Sequence, residues 1–228
     1  MEPLVSIVIV QYNKHQLLKD CLDSIYKHCQ GFNFEIIVVD NSDNPFLVQN
    51  DVNRNISIIY NEKNFGFAKA NNIGAAQARG DYLFLLNNDT LFLENSLEIM
   101  YRYMVYNHDI GILGPQLLNK DSSIQYYGSL LGRYQYKTEK PREVSFLSGA
   151  AMFIKKDLFL NVGGFDERYF FYNEDVDLCK TILKKKKNLI YFPETKIIHL
   201  DGQSTPKSKY LKKQALKSSW YFFKKHYF

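Results

Sequence analysis

A chain of 228 residues, 46% apolar and 23% charged, has the length to bury the core of one domain, and it shows no low-complexity run and no internal repeat. Its net charge of +5 belongs to the tail: residues 201–228 hold seven lysines against one acid, while the remainder holds 22 basic and 23 acidic side chains. A nearly neutral body excludes a broad nucleic-acid footprint.

Leu4 to Val10 is a continuous β-branched run, which reads as a strand buried on both faces. Gln11, Tyr12 and Asn13 break it, and Lys14 to Cys29 follows with Leu17, Leu18, Cys21, Leu22 and Ile25 at helical spacing. Phe34 to Val39 is a second buried strand, ended by Asp40-Asn41-Ser42-Asp43-Asn44-Pro45, and Ile56 to Tyr60 is a third. Gly66 to Arg79 reads as a helix, and Asp81 to Leu86 as a fourth strand that stops at Asn87-Asn88-Asp89. Ile110 to Leu118 and Phe146 to Ile154 read as strands around a Tyr-rich stretch at Tyr126, Tyr127, Tyr134 and Tyr136. Gly163 to Asp166 is a turn and Glu174 to Lys187 a helix, with Asn188 taking the left-handed position after it. Leu189 to Phe192 and Lys196 to His199 are two short strands. The alternation predicts an α/β fold, a mostly parallel central sheet with helices on both faces.

Ligands bind such sheets beyond the carboxyl ends of the strands. Tyr12-Asn13, Asp40-Asn41-Ser42 and Asn87-Asn88-Asp89 all fall there. Asp40 alone reads as a turn residue. Asp89 is delivered to the crevice by an apolar strand, where a carboxylate can ligate a hard cation that bridges a diphosphate. Glu174-Asp175-Val176-Asp177 opens a helix; three acids in four residues exceed what capping needs, and one suits a general base.

These pieces, taken in order, resemble glycosyltransferase family 2, with its GT-A fold. The similarity runs over nearly the whole chain. It comprises Val5 to Val10 with Tyr12-Asn13; Val38-Val39-Asp40-Asn41-Ser42; Asn64-Phe65-Gly66-Phe67-Ala68 with Asn71-Asn72 and Gly74; and Leu86-Asn87-Asn88-Asp89. It continues with Ser148-Gly149-Ala150; Gly163 to Glu167; Glu174 to Leu178; and His199 with Gly202 and Ser204. The resemblance implies that Tyr12 and Asp40 hold the nucleotide base and that Asn64, Asn72 and Asn88 line the donor pocket. It implies Asp89 and His199 at a divalent metal (Mn2+ or Mg2+), Asp175 as catalytic base and Glu174 near the acceptor. Asn87 and Asn88 replace the earlier acid of the family's two-aspartate motif, and this form is similar to the branch containing bacterial rhamnosyltransferases. The implied reaction is an inverting transfer from a UDP- or dTDP-linked sugar to a glycan or lipid-linked glycan, in cell-surface polysaccharide synthesis.

A nucleotidyltransferase would need a Gly-rich basic loop after the first strand, and Gln11-Tyr12-Asn13-Lys14 has none. A dinucleotide-dependent oxidoreductase lacks its G-x-G-x-x-G there. A non-catalytic sugar-nucleotide-binding subunit stays open as the alternative. The organisation expected is a domain over 1–204, with a nucleotide-sugar half (1–90) and an acceptor half (91–204), and a basic aromatic helix over 205–228. Cys21, Cys29 and Cys179 show neither metal-binding spacing nor a disulfide framework. No signal peptide or membrane-spanning run is apparent, so a cytoplasmic location is expected. As a helix from Pro206, the tail sets Leu211, Ala215, Ser218 and Phe222 against Lys209, Lys213, Lys217 and Lys224, with Trp220, Tyr221 and Phe223 as interfacial aromatics. That pattern fits a peripheral membrane contact, and equally a helix packed on the domain with a solvated lysine face.

Overall fold

The computed structural model describes residues 2–46, 55–129, 132–200 and 209–227. In chain order the elements are β1 (Val5–Gln11), α1 (His15–His28), β2 (Phe34–Asp40), β3 (Ile56–Tyr60), α2 (Phe67–Gln77), β4 (Tyr82–Asn87), β5 (Thr90–Phe92) and α3 (Ser96–Tyr106). There follow β6 (Ile110–Leu118), β7 (Tyr127–Ser129), β8 (Gly132–Tyr134), β9 (Arg142–Glu143), β10 (Ala151–Lys155), α4 (Lys156–Asn161), α5 (Glu174–Lys184), β11 (Asn188–His199) and α6 (Lys209–Tyr227).

One sheet of nine strands runs β3-β2-β1-β4-β10-β6-β11-β5, with β9 attached to β11. β3, β2, β1 and β4 pair in parallel, as do β6 and β11, whereas β10 runs antiparallel to both β4 and β6. β4 and β11 therefore point the same way, and their carboxyl ends, Asn87 and His199, share one edge. The buried runs of β1 and β2 serve both faces: Ile37 and Val39 pack with Ala70 of α2, while Ile36 and Val38 join the main core with Leu18 and Ile25 of α1. Gly74 lets α2 lie close, because a Cβ there would sit 2.4 Å from Val8 Cγ1.

The structure departs from the sequence expectations in four places. Residues 146–150 do not extend β10, because their backbone N–H groups serve side chains rather than a ladder: Leu147 donates to Cys179 Sγ and Gly149 to Asp175. The helix from Glu174 ends at Lys184, and the left-handed residue is Lys186 (φ 57°) rather than Asn188, which instead opens β11. The two short strands at 189–199 are one, β11, whose register on β6 shifts between Phe192 and Lys196. β5, α3, β7, β8, β9 and α4 are additional elements. The boundary expected between the two halves of the domain, at residues 90 and 91, falls inside β5, which pairs with β11. Gly202, Ser204, the boundary at 204/205 and Pro206 lie outside the described residues.

The tail helix packs on the domain. Ser218 and Phe222, from the side set against the lysines, are buried, and Tyr221, expected as an interfacial aromatic, instead turns inward with its hydroxyl donating to Asp166 at 2.9 Å. No helix among the described residues is long and apolar enough to cross a membrane.

Candidate active site

The first cluster forms where β1 and β2 end. Asp40 is buried, and both its oxygens accept backbone N–H groups, Ser42 at 2.9 Å and Phe46 at 2.6 Å. Its carboxylate thus folds the loop over 41–46, the turn role that its sequence context alone suggested. That loop presents Asp43, which accepts from the Tyr12 hydroxyl at 3.2 Å and from the Asn13 side chain at 3.0 Å. Burial and then the Asp43 charge raise the Tyr12 pKa, while a hydrogen bond with Asn64 opposes them. Asn64 also accepts from Gly66 N at 2.8 Å, so Tyr12, Asp43 and Asn64 are brought together. Buried Asn41 ties the same region, donating to the Gly66 carbonyl at 3.2 Å and accepting from Asn61 at 2.8 Å.

Asn72 is not brought into this group. Its amide bridges α2 to the Gly-Gly turn, donating to Phe165 O at 2.8 Å and accepting from Phe165 N at 2.9 Å. Both ends of the amide are hydrogen-bonded to that turn, so Asn72 staples α2 to it. Asn88 is buried against β1, its amide hydrogen-bonded to Gln11.

The second cluster sits at the ends of β4 and β11. The Asp89 side chain is fully buried, and its Oδ1 lies 3.3 Å from His199 Nε2. The Asn87 amide also reaches that nitrogen at 3.3 Å. On the other side of the ring, Nδ1 meets Gln125 Oε1 at 2.8 Å. Gln125 spends its own NH2 on His199 O and Asn119 Oδ1, both at 3.3 Å, so Nδ1 must be the donor and Nε2 is left to face Asp89. A buried carboxylate requires a compensating positive charge. A carboxylate oxygen and an imidazole nitrogen facing each other at this distance suit a divalent cation, with Gln125 as the outer partner that fixes the ring. Among the described residues no group of three or more His, Cys, Asp or Glu side chains is arranged to hold a metal ion, so ligands beyond Asp89 and His199 would come from elsewhere.

The third cluster opens α5. Glu174, Asp175 and Asp177 occupy its first turn, where the helix dipole favours negative charge. Half-buried Asp175 accepts from Gly149 N at 3.0 Å and from Val176 N at 2.8 Å. Burial raises its pKa against those two hydrogen bonds. Glu174 is buried, its Oε2 has no hydrogen-bond partner among the described residues, and burial followed by the Asp175 charge pushes its pKa well up. The neighbouring turn joins this cluster to the second: Asn87 N donates to Ala150 O at 2.9 Å, one residue from the Gly149 N–H that holds Asp175. Asp89, His199, Glu174 and Asp175 thus surround one edge of the sheet, linked through residues 149–150. Gln125 and Gly149 escape a reading by strand ends, because one lies beyond β6 and the other before β10, far from the residues they hold.

Residues 6–163 match the family model described as glycosyl transferase family 2. Among curated proteins, the chain is 24% identical over 89% of its length to the O-antigen biosynthesis protein RfbC of Myxococcus xanthus, and spans 18% of that protein. It is 25% identical over 90% of its length to the N-acetylglucosaminyl-diphospho-decaprenol L-rhamnosyltransferase of Mycobacterium tuberculosis, spanning 78% of it. Among solved structures, GalNAc-T7 with UDP, GalNAc and Mn2+ superposes with a TM-score of 0.73 at 18% identity, over 98% of this chain and 50% of that one. At that identity the likeness speaks for the fold, which is the mixed α/β GT-A architecture.

Proposed function

The chain belongs to glycosyl transferase family 2, and on that footing we propose that it moves a sugar from a nucleoside-diphosphate donor to an acceptor hydroxyl with inversion at the anomeric carbon. One observation carries this reading: Asp89 with His199, and Asp175 with Glu174, stand at the same edge of the sheet, joined by the Asn87–Ala150 and Gly149–Asp175 hydrogen bonds. The first pair suits the charged diphosphate and the second suits proton removal.

The loops carrying Tyr12, Asp43 and Asn64, with Asp40 shaping one of them, would receive the nucleoside. Asp89 and His199 would hold a divalent metal, whose chemistry when bound is to neutralise charge on the leaving diphosphate. Asp175 takes the proton of the acceptor hydroxyl, whose oxygen forms a bond to the anomeric carbon. The bond from that carbon to the diphosphate breaks, and its electron pair leaves with the nucleoside diphosphate. Glu174, beside the base and with a raised pKa, can keep its proton and donate a hydrogen bond to the acceptor. A UDP- or dTDP-linked donor and a glycan or lipid-linked glycan acceptor fit the relatives named as an O-antigen protein and a rhamnosyltransferase. That kinship also favours polysaccharide synthesis over a merely binding subunit.

The outer face of α6 supports a peripheral membrane contact. Leu216, Trp220, Phe223 and Tyr227 are exposed at helical spacing, interleaved with exposed Lys213, Lys217 and Lys224. Such a face complements an anionic lipid surface, each lysine contributing about 1 kcal/mol near it. Co-sedimentation with anionic but not neutral vesicles, weakened by salt and by Trp220→Ser, is expected; binding unchanged by both would contradict it. The donor reading is tested by thermal stabilisation with UDP- and dTDP-sugars plus Mn2+. A matching donor at a hundredfold excess over its Kd should stabilise by about 2.7 kcal/mol. A panel without any such donor would count against the reading.

A further inference from the structure

Two consecutive residues just before the acidic cluster, Tyr172 and Asn173, have φ of 69° and 70°. Neither is glycine, and left-handed backbone at adjacent ordinary residues persists only where surrounding contacts hold it. Those contacts come from both sides of the turn. From α2, Phe67 N donates to Phe170 O at 3.0 Å. Gly66 lies so close that a Cβ would stand 2.4 Å from that oxygen. From α6, Ser218 Oγ donates to Phe171 O at 2.9 Å. The turn is therefore gripped between the Asn64–Gly66 loop and the C-terminal helix.

A second set of contacts fastens α5 itself. Buried Asp177, two residues after Asp175, takes a hydrogen bond from Lys225 Nζ at 2.8 Å on one oxygen. Its other oxygen meets His226 Nε2 at 2.7 Å and Tyr169 OH at 3.1 Å. Lys225 reaches Asp166 Oδ2 as well, at 2.8 Å, so one ammonium joins the Gly-Gly turn to the helix bearing the acids. Burial works against the charge of Asp166, yet hydrogen bonds from Arg168, Lys225 and Tyr221 hold its carboxyl well below the usual range. Phe222 is fully buried, which fixes this end of α6 against the domain, and its ring lies tilted 4.7 Å from that of His226. With Gly149 N on Asp175 from the opposite side, the first turn of α5 is held at two points.

We infer that α6 is a clamp for the catalytic turn, with Ser218, Lys225 and His226 acting as positioning residues for Asp175 and Glu174. The inference rests on the reading of Asp175 as the base. It makes the C-terminal helix part of the catalytic apparatus on its inner face, independently of what its outer face meets. Misplacement of a reacting group by about 1 Å can cost on the order of a hundredfold in rate, so losing one grip should be visible in turnover.

The test uses the full chain with Ser218→Ala, Ser218→Thr, Lys225→Met and Asp175→Asn. Hydrogen exchange over residues 170–177 needs no donor. It should quicken in Ser218→Ala and Lys225→Met, and return to the wild-type rate in Ser218→Thr. Affinity for UDP with Mn2+ should stay unchanged, while turnover of donor falls about tenfold or more. Ser218→Ala removes only one hydroxyl and carries the test if Lys225→Met fails to fold. Unaltered exchange at 170–177 in Ser218→Ala would overturn the clamp, as would turnover and UDP affinity declining together with thermal stability. Wild-type turnover in Asp175→Asn would instead defeat the base reading, so the two failures are told apart.

Discussion

Asp89 and Asp175 are the same side chain held in opposite environments. Asp89 lies beyond a strand, fully buried, facing an imidazole whose other nitrogen is fixed by Gln125. Asp175 lies in the first turn of a helix, half-buried, with backbone N–H groups of Gly149 and Val176 on its oxygens and an acid beside it. The first environment calls for positive charge, and the second lifts the carboxyl toward protonation. A carboxylate's role is thus set by the partners that reach it from other elements, more than by its own position in the chain.

The sharpest way to break this contrast is to neutralise each acid. Asp175→Asn keeps the shape but cannot accept a proton, so transfer should drop about a hundred- to ten-thousandfold while UDP binding with Mn2+ persists. Steady-state turnover beside calorimetry would check both halves. Asp89→Ala should do the reverse at the binding step: UDP affinity should cease to depend on Mn2+ in a calorimetric titration. Equal Mn2+ dependence in the variant would place the metal elsewhere.

A smaller effect is expected from the residue behind His199. Gln125→Ala frees the ring to turn and should weaken Mn2+-dependent UDP binding by about ten- to a hundredfold, leaving Asp175 untouched. Smallest is a pH effect. Glu174 binds its proton more tightly folded than unfolded, so its contribution to stability is full below the ordinary carboxylate pKa. That contribution is lost as pH rises through the higher folded value. Thermal melts of Glu174→Gln should therefore fall less between acid and neutral pH than those of the wild type.

Much of this was legible from sequence where structure is local. The β-branched runs at Val5–Gln11 and Phe34–Asp40, and the polar residues that stop them, give the parallel half of the sheet directly. The antiparallel β10, inserted between β4 and β6, depends on a long-range pairing that no periodicity announces. The α3 helix did leave a signal. Asn95 caps Glu98 N, and Glu98 accepts in return from the Asn95 amide, the spacing of a capping box. The acids of the site were visible because carboxylates after strands and at helix starts stand out. Of their partners, Gly149 stood out only through the Ser148-Gly149-Ala150 similarity, and Gln125 and Lys225 not at all, since they are ordinary residues brought near by topology. Asn72 shows the converse: an amide that sequence similarity assigns to the donor pocket has a structural bond to the Phe165 backbone that similarity does not announce.

The central claim, glycosyl transfer driven by Asp175 beside an Asp89–His199 metal site, meets its most direct test in product release. Purified chain would be incubated with UDP- and dTDP-linked sugars, Mn2+ and a lipid-linked glycan fraction, and free nucleoside diphosphate measured against time. The account predicts release from one donor class that needs Mn2+, rises with acceptor and vanishes in Asp175→Asn. Release at the same rate in Asp175→Asn, or donor binding without release under any acceptor, would contradict it.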